Sequence, residues 1–131
     1  DRVTIGLDLT ARDLQQELKT KGLPWEKAKA FDGSAYVADS FTAVESFRAG
    51  PPIEFMLKKN GQVVQSGHSS QMIFDIPALI ANVERYMRLE TDDLLFTGTP
   101  AGVGPLKVGD ELEGYMLGEL LFELRVEGPT P

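Results

Sequence analysis

Three residues of this sequence are best suited to chemistry: an aspartate ending an apolar run, a lysine among small and aromatic neighbours, and a threonine within a glycine-rich loop. Asp8 closes the segment Val3-Thr4-Ile5-Gly6-Leu7-Asp8. An unpaired carboxylate there is costly, and a metal ion or a nearby base would offset the cost. Hard cations such as Mg²⁺, Mn²⁺ and Ca²⁺ take oxygen ligands of this kind, although one carboxylate does not hold such an ion tightly. The plainer alternative for Asp8 is a turn or helix-cap residue. Lys29 lies in Ala28-Lys29-Ala30-Phe31, the surroundings of a partly enclosed ammonium able to polarise a carbonyl or balance a carboxylate. Lys21 and Lys27 read as solvated surface lysines, the role that is also the alternative for Lys29.

Thr99 stands at the centre of Thr97-Gly98-Thr99-Pro100-Ala101-Gly102-Val103-Gly104-Pro105. Its glycines permit tight turns and close backbone approach. Open backbone N–H groups together with a hydroxyl suit a substrate carboxylate. No Lys-Ser or Lys-Thr follows the last glycine, so the phosphate-loop pattern fails. A structural turn between strands is the alternative. His68, the single histidine, reads as an exposed loop residue in Ser66-Gly67-His68-Ser69-Ser70, and no Ser-His-Asp set follows from it. Asp92, Asp93, Asp110 and Glu111 read as turn and surface acids.

The elements that must position these groups follow from periodicity. Residues 2–8 read as a buried strand with Val3, Ile5 and Leu7 on one face. Thr10 is placed to cap a helix, with Asp13 three residues on, and the helix runs through Leu14 and Leu18 until Gly22 and Pro24 stop it. Residues 21–31 read as a basic connection, and 33–52 as loop with one short strand near Tyr36-Val37. A hairpin pairs 53–57 with 62–65 across Asn60-Gly61. Helical spacing runs from Ile76 to Leu89, with Asp75 as N-cap and Pro77 in the first turn. Residues 93–97 read as an apolar strand leading into the glycine loop, and 111–117 with 119–126 as two strands turning at Gly118. Many strands and two main helices give a β-dominated α+β fold.

Composition sets the frame. A chain of 131 residues, 42% hydrophobic and 25% charged, fits a single globular domain over residues 1–131. The net charge of −7 argues against nucleic acid or anionic lipid as partner, but not against an anionic small substrate once a cation reverses the local field. Without cysteine there is no disulfide, thiolate zinc site or cysteine nucleophile. No run is apolar enough to span a bilayer, and a cytoplasmic protein is the expectation. The chain opens on a strand-like run without an initiator Met, which reads as part of a longer protein.

The segments Gly6 to Gln15, Gly22-Leu23-Pro24-Trp25, Ala28 to Phe31, Asn60-Gly61 to Gln65, Met72-Ile73-Phe74 and Thr97 to Asp110, in this order, resemble the fumarylacetoacetate hydrolase family. The likeness spans nearly the whole chain and is weakest over 33–52. It is nearest to short bacterial members acting on acylpyruvates or 2-hydroxy-diene-dioates, and to the mitochondrial acylpyruvase and oxaloacetate decarboxylase branch. The resemblance implies a mixed β-roll that dimerises. It implies a metal-dependent hydrolase, isomerase or decarboxylase for small 2-oxo carboxylates, in which Mg²⁺ or Mn²⁺ (Ca²⁺ being a third candidate) stabilises an enolate. By this likeness Asp8 matches the metal-binding aspartate, Gln15 a substrate-contacting glutamine and Lys29 the active-site lysine. Thr99, with Gly98 beside it, matches the threonine whose loop holds the substrate carboxylate.

The departures are as informative. The Glu-x-Glu pair that completes the family's metal site, and the lid with its His–Glu pair, have no counterpart here; Glu17, Glu26, Glu45 and Glu54 stand outside that motif. Ala35-Tyr36 replaces a Cys-Pro or Ser-Pro step, Gly33 stands where some members place a metal-site hydroxyl, and Thr91-Asp92-Asp93 replaces a Pro-Gly-Asp turn. The expectation is therefore a catalytic-core portion, inactive by itself and lacking an N-terminal part. The competing expectation is a truncated, non-catalytic relative that binds a carboxylate or serves as a dimerising scaffold.

Overall fold

The structure, a computed structural model, describes residues 2–44 and 50–128. The N-terminal apolar run does not form one continuous strand. It divides into β1 (Arg2–Val3) and β2 (Gly6–Asp8). Between them Thr4 turns its hydroxyl onto the Ser40 carbonyl, 2.7 Å away, and the chain changes pairing partner. Helix α1 (Arg12–Thr20) follows, and a short helix α2 (Glu26–Lys29) lies within the segment read as a basic connection. Strands β3 (Ala35–Val37) and β4 (Thr42–Ala43) return antiparallel to β2 and β1, with Leu7 opposite Tyr36 and Val3 opposite Thr42. Residues 45–49 of the loop expected over 33–52 lie outside the described residues.

The second half builds a four-stranded antiparallel sheet. Strands β5 (Glu54–Lys59) and β6 (Gln62–His68) form the expected hairpin. Asn60 and Gly61 take φ of 52° and 76°, the left-handed pair that a tight two-residue turn requires. After one 3₁₀ turn at Ser69–Gln71 come α3 (Ile76–Val83), β7 (Glu111–Met116) and β8 (Glu119–Arg125). The sheet order is β6-β5-β7-β8. Alternation along β7 buries Leu112, Gly114 and Met116 on one face. Phe122 of β8 lies across Gly114, where a Cβ would come within 2.2 Å of the ring. Phe122 also meets Tyr36 edge-on, with ring centroids 5.1 Å apart. The core therefore sits where the β2–β3 ribbon meets the sheet: Ala38, Leu112 and Phe122, surrounded by Ile5, Leu7, Leu57 and Leu124. The β-dominated α+β architecture is as expected, with a third, short helix added.

Three local expectations fail for identifiable reasons. Helix α1 begins one residue too late for Thr10 to cap it; Ala11 occupies the cap position and no side chain caps the helix. The helix at 76 is capped by Asp75, whose carboxylate accepts the Ala78 N–H at 2.8 Å, but it ends at Val83 rather than Leu89. Tyr86, counted toward its buried face, is 78% exposed, so no packing rewards further turns. Residues 93–97 have no regular secondary structure and pair with no strand among the described residues, and Phe96 is 47% exposed. Apolar content marked that segment, but a strand needs a hydrogen-bonding neighbour.

Candidate active site

Two clusters of polar side chains divide the expected site between them. The first lies at the end of β2. There the Leu9 N–H donates to the Ser34 carbonyl at 2.7 Å and the Ala11 N–H to the Ala28 carbonyl at 3.0 Å. These bonds stitch the segment after Asp8 to α2 and to the turn before β3. Ala28 is wholly buried, which fixes α2 in place. Lys29 therefore points back at β2, with Nζ 2.5 Å from Asp8 Oδ1 and 2.9 Å from Thr10 Oγ1. The side chains of Asp8 and Lys29 are 48% and 32% exposed. A pair so open to water contributes no more than about 1 kcal/mol to stability. Thr10 serves as the second partner of the lysine instead of capping α1. Beside Lys29 opens a shallow depression of about 480 Å³ lined by Leu23, Pro24, Trp25 and Glu26.

The second cluster is the glycine loop. Gln65, on β6, donates from Nε2 to the Pro100 carbonyl at 3.0 Å and to Thr99 Oγ1 at 3.3 Å. Gly102 has φ of 101°, and a Cβ there would fall 2.0 Å from the Val64 carbonyl oxygen. Because β6 is an outer strand of its sheet, the loop lies along that edge and covers it. Gly98, with φ of 114°, stands in open space. Farther along, the Lys59 ammonium donates to the Pro105 carbonyl at 3.0 Å. Asp110 accepts from Asn60 Nδ2 and from the Lys107 N–H, each at 2.9 Å. These two bonds, the Asn60 amide first, hold the Asp110 carboxyl below its ordinary value. Asp110 is thus a loop anchor as well as a turn acid.

The bridge between the clusters is apolar. A Cβ at Gly6 would lie 3.3 Å from the Phe96 ring, so the segment leading to Thr99 rests on the strand that presents Asp8. No hydrogen bond joins Thr99 to Asp8 or Lys29 among the described residues. Gln15 stands apart on α1, where its amide oxygen accepts from Arg12 Nη1 at 2.7 Å. His68 belongs to β6 rather than to a loop; its Nδ1 lies 2.5 Å from Ser70 Oγ and its Nε2 3.8 Å from Glu54. Sequence reasoning missed Gln65 and Thr10 as partners of the site. The Asn-Gly turn sets the register of Gln65, but its partner lies 34 residues away.

A divalent cation was the expected cofactor. Among the described residues, no three His, Cys, Asp or Glu side chains come together to hold a metal ion. Asp8 offers one carboxylate beside an ammonium, which is not a complete cation site.

The family described as "Fumarylacetoacetate (FAA) hydrolase C-terminal" matches residues 2–125. The chain belongs to the fumarylacetoacetate hydrolase family. Among its relatives in this family, the mitochondrial oxaloacetate tautomerase FAHD1 of Bos taurus is 45% identical over 123 residues, covering 94% of this chain and 55% of that protein. The fumarylpyruvate hydrolase of Pseudomonas aeruginosa, solved in complex with Mn²⁺ and pyruvate, superposes with a TM-score of 0.83 at 34% identity, over 95% of this chain and 53% of that one. The 5-carboxymethyl-2-hydroxymuconate delta-isomerase of Mycobacterium smegmatis superposes with a TM-score of 0.81 at 29% identity, covering 98% and 48%. The chain spans about half the length of these relatives, which are named as a tautomerase, a hydrolase and an isomerase. No helix among the described residues is long and apolar enough to cross a membrane.

Proposed function

We propose that this chain forms the carboxylate-binding and carbonyl-polarising part of an enzyme acting beside the carbonyl of a small 2-oxo carboxylic acid, of the acylpyruvate or 2-hydroxy-diene-dioate type. The observation that carries this reading is the Lys29 ammonium, held 2.5 Å from Asp8 and 2.9 Å from Thr10 at the end of the strand on which the Phe96 ring, just ahead of the glycine loop, rests. Lys29 Nζ is positioned to place a proton and a positive charge beside a substrate carbonyl oxygen, where negative charge grows as an enolate forms. The Thr99 hydroxyl and the N–H groups around Gly98 hold the substrate carboxylate, and Gln15 contacts the substrate from α1. Asp8 supplies one oxygen toward a divalent cation, Mg²⁺ or Mn²⁺, whose other ligands lie beyond the described residues. The relative with Mn²⁺ and pyruvate supports both the cation and the ligand class. The same reading gives a cytoplasmic homodimer whose domain includes residues absent from this chain, with no nucleic-acid or membrane partner.

The test is a panel of acylpyruvates, oxaloacetate and hydroxymuconate-type acids, assayed with Mg²⁺ and Mn²⁺ on the full-length protein. Cation-dependent turnover of at least one is expected, and Asp8→Ala is expected to abolish it. Turnover retained by that variant removes Asp8 from the site. A second reading, a carboxylate-binding scaffold without catalysis, is favoured by the pairing of Asp8, the one expected metal ligand, with the Lys29 ammonium instead of with further carboxylates. Binding of a 2-oxo acid that is unchanged by EDTA, with no turnover of any panel member, would select it.

A further inference from the structure

We propose that Gln65 is a positioning residue that sets the polarity of the Thr99 hydroxyl and so makes the glycine loop a receptor for a substrate carboxylate. This inference rests on the proposed function for the identity of the ligand; its geometry is independent of it. The Gln65 side-chain nitrogen carries two hydrogens and no acceptor. One is directed at the Pro100 carbonyl, 3.0 Å away, and the other at Thr99 Oγ1, 3.3 Å away. A hydroxyl that accepts from Gln65 keeps its own single hydrogen for another acceptor. No protein acceptor takes that hydrogen among the described residues, and Thr99 is exposed. The hydroxyl is therefore left as a donor facing outward, the polarity an anionic ligand needs.

The neighbouring backbone supports the same role. Gly102 presses on the Val64 carbonyl so closely that no side chain fits between them. Two consecutive residues of the outer strand, Val64 and Gln65, thus fix the loop on both sides of Ala101. The strand seats the loop, and the glutamine amide orients the group within it. Glutamate at position 65 would fill the same space but reverse the arrangement. It would accept the Thr99 hydrogen, repel the Pro100 carbonyl and place a negative charge beside the ligand.

The experiment is calorimetric titration of pyruvate into the full-length protein with Mn²⁺, for the wild type, Gln65→Met, Gln65→Glu, Thr99→Val and the Gln65→Met/Thr99→Val pair. Gln65→Met is expected to weaken binding about tenfold, and Gln65→Glu more than that. In the Thr99→Val background the effect of Gln65→Met should shrink to about threefold or less, because the hydroxyl it orients is gone. A residue that merely braces the fold would weaken binding equally in both backgrounds. Melting curves accompany each variant; if Gln65→Met does not fold, the equally sized Gln65→Glu decides. Wild-type binding that both position-65 variants leave unchanged overturns the role of Gln65 while the proposed function stands. Absence of pyruvate binding by the wild type overturns the proposed function and this inference together.

Discussion

The corner at Asp8 and the loop at Thr99 belong to one candidate site but are built on opposite principles. The corner is charged and assembled within the first 34 residues by backbone hydrogen bonds around a buried alanine. Its ion pair is half open to water, so it adds little to stability and is placed by the fold rather than placing it. The loop is uncharged at its centre and has no regular secondary structure. It is held by long-range contacts from the β5–β6 hairpin: Gln65 and Val64 at one end, Lys59 and Asn60 at the other. Substitutions at the corner should therefore change chemistry without changing stability, whereas substitutions at the loop's packing contacts should change stability, and only its exposed Thr99 hydroxyl should act on binding alone.

The sharpest break of that comparison is Lys29→Met in the full-length protein. It removes the ammonium that faces the developing negative charge, and kcat is expected to fall by about 10²–10³. The unfolding free energy should move by no more than about 1 kcal/mol, since the lost pair is solvent-exposed. Kinetics and denaturant unfolding on one preparation measure both. A stability loss several times larger would mean that the corner braces the fold.

Gly102→Ala should show the reverse. The residue has φ of 101° and its Cβ would strike the Val64 carbonyl, so a destabilisation on the order of 2–3 kcal/mol is expected. Gly98→Ala is the internal control. It shares the strained conformation but meets no atom within 4 Å, and about 1 kcal/mol is expected. Equal costs at the two positions would mean that the loop does not lean on β6. Smaller again is Thr99→Val, which keeps shape and loses the hydroxyl. KM for a 2-oxo acid should rise about tenfold with the melting temperature unchanged.

This contrast also explains what could be read from the chain directly. The corner was legible because its parts lie close in sequence: an aspartate after an apolar run and a lysine among alanines point to each other once a strand and a short return segment are recognised. The Asn60-Gly61 hairpin and the Gly118 turn were legible for the same reason, since the turn residues dictate the register on either side. Thr10 was misread because a hydroxyl before a helix satisfies the capping pattern equally well, and only the arrival of Lys29 decides its partner. The segment at 93–97 was misread because apolar content guarantees neither burial nor a pairing neighbour: Leu94 and Phe96 are about half exposed. Gln65 left almost no local signal. Its role depends on where a loop more than thirty residues later returns, a tertiary fact that no periodicity records.

The weakest expected effect concerns the far anchor of the loop and its dependence on pH. Asp110 takes hydrogen bonds from Asn60 and from the Lys107 backbone, with Lys59 3.9 Å away, and these favour its ionised form. Its folded-state carboxyl therefore titrates below the unfolded value of 3.8. A group shifted in this direction stabilises the protein fully above the unfolded value, and the contribution disappears as pH falls through the lower folded value. Asp110→Asn removes the charge but keeps the size. The wild type should melt slightly above this variant at neutral pH, and the difference should close as pH drops below 3.8. Lys29→Met should leave that narrowing intact, because the corner shares no hydrogen bond with Asp110 among the described residues. A gap that instead widens in acid would reverse the sign of the shift, and with it the idea that ionised Asp110 anchors the loop.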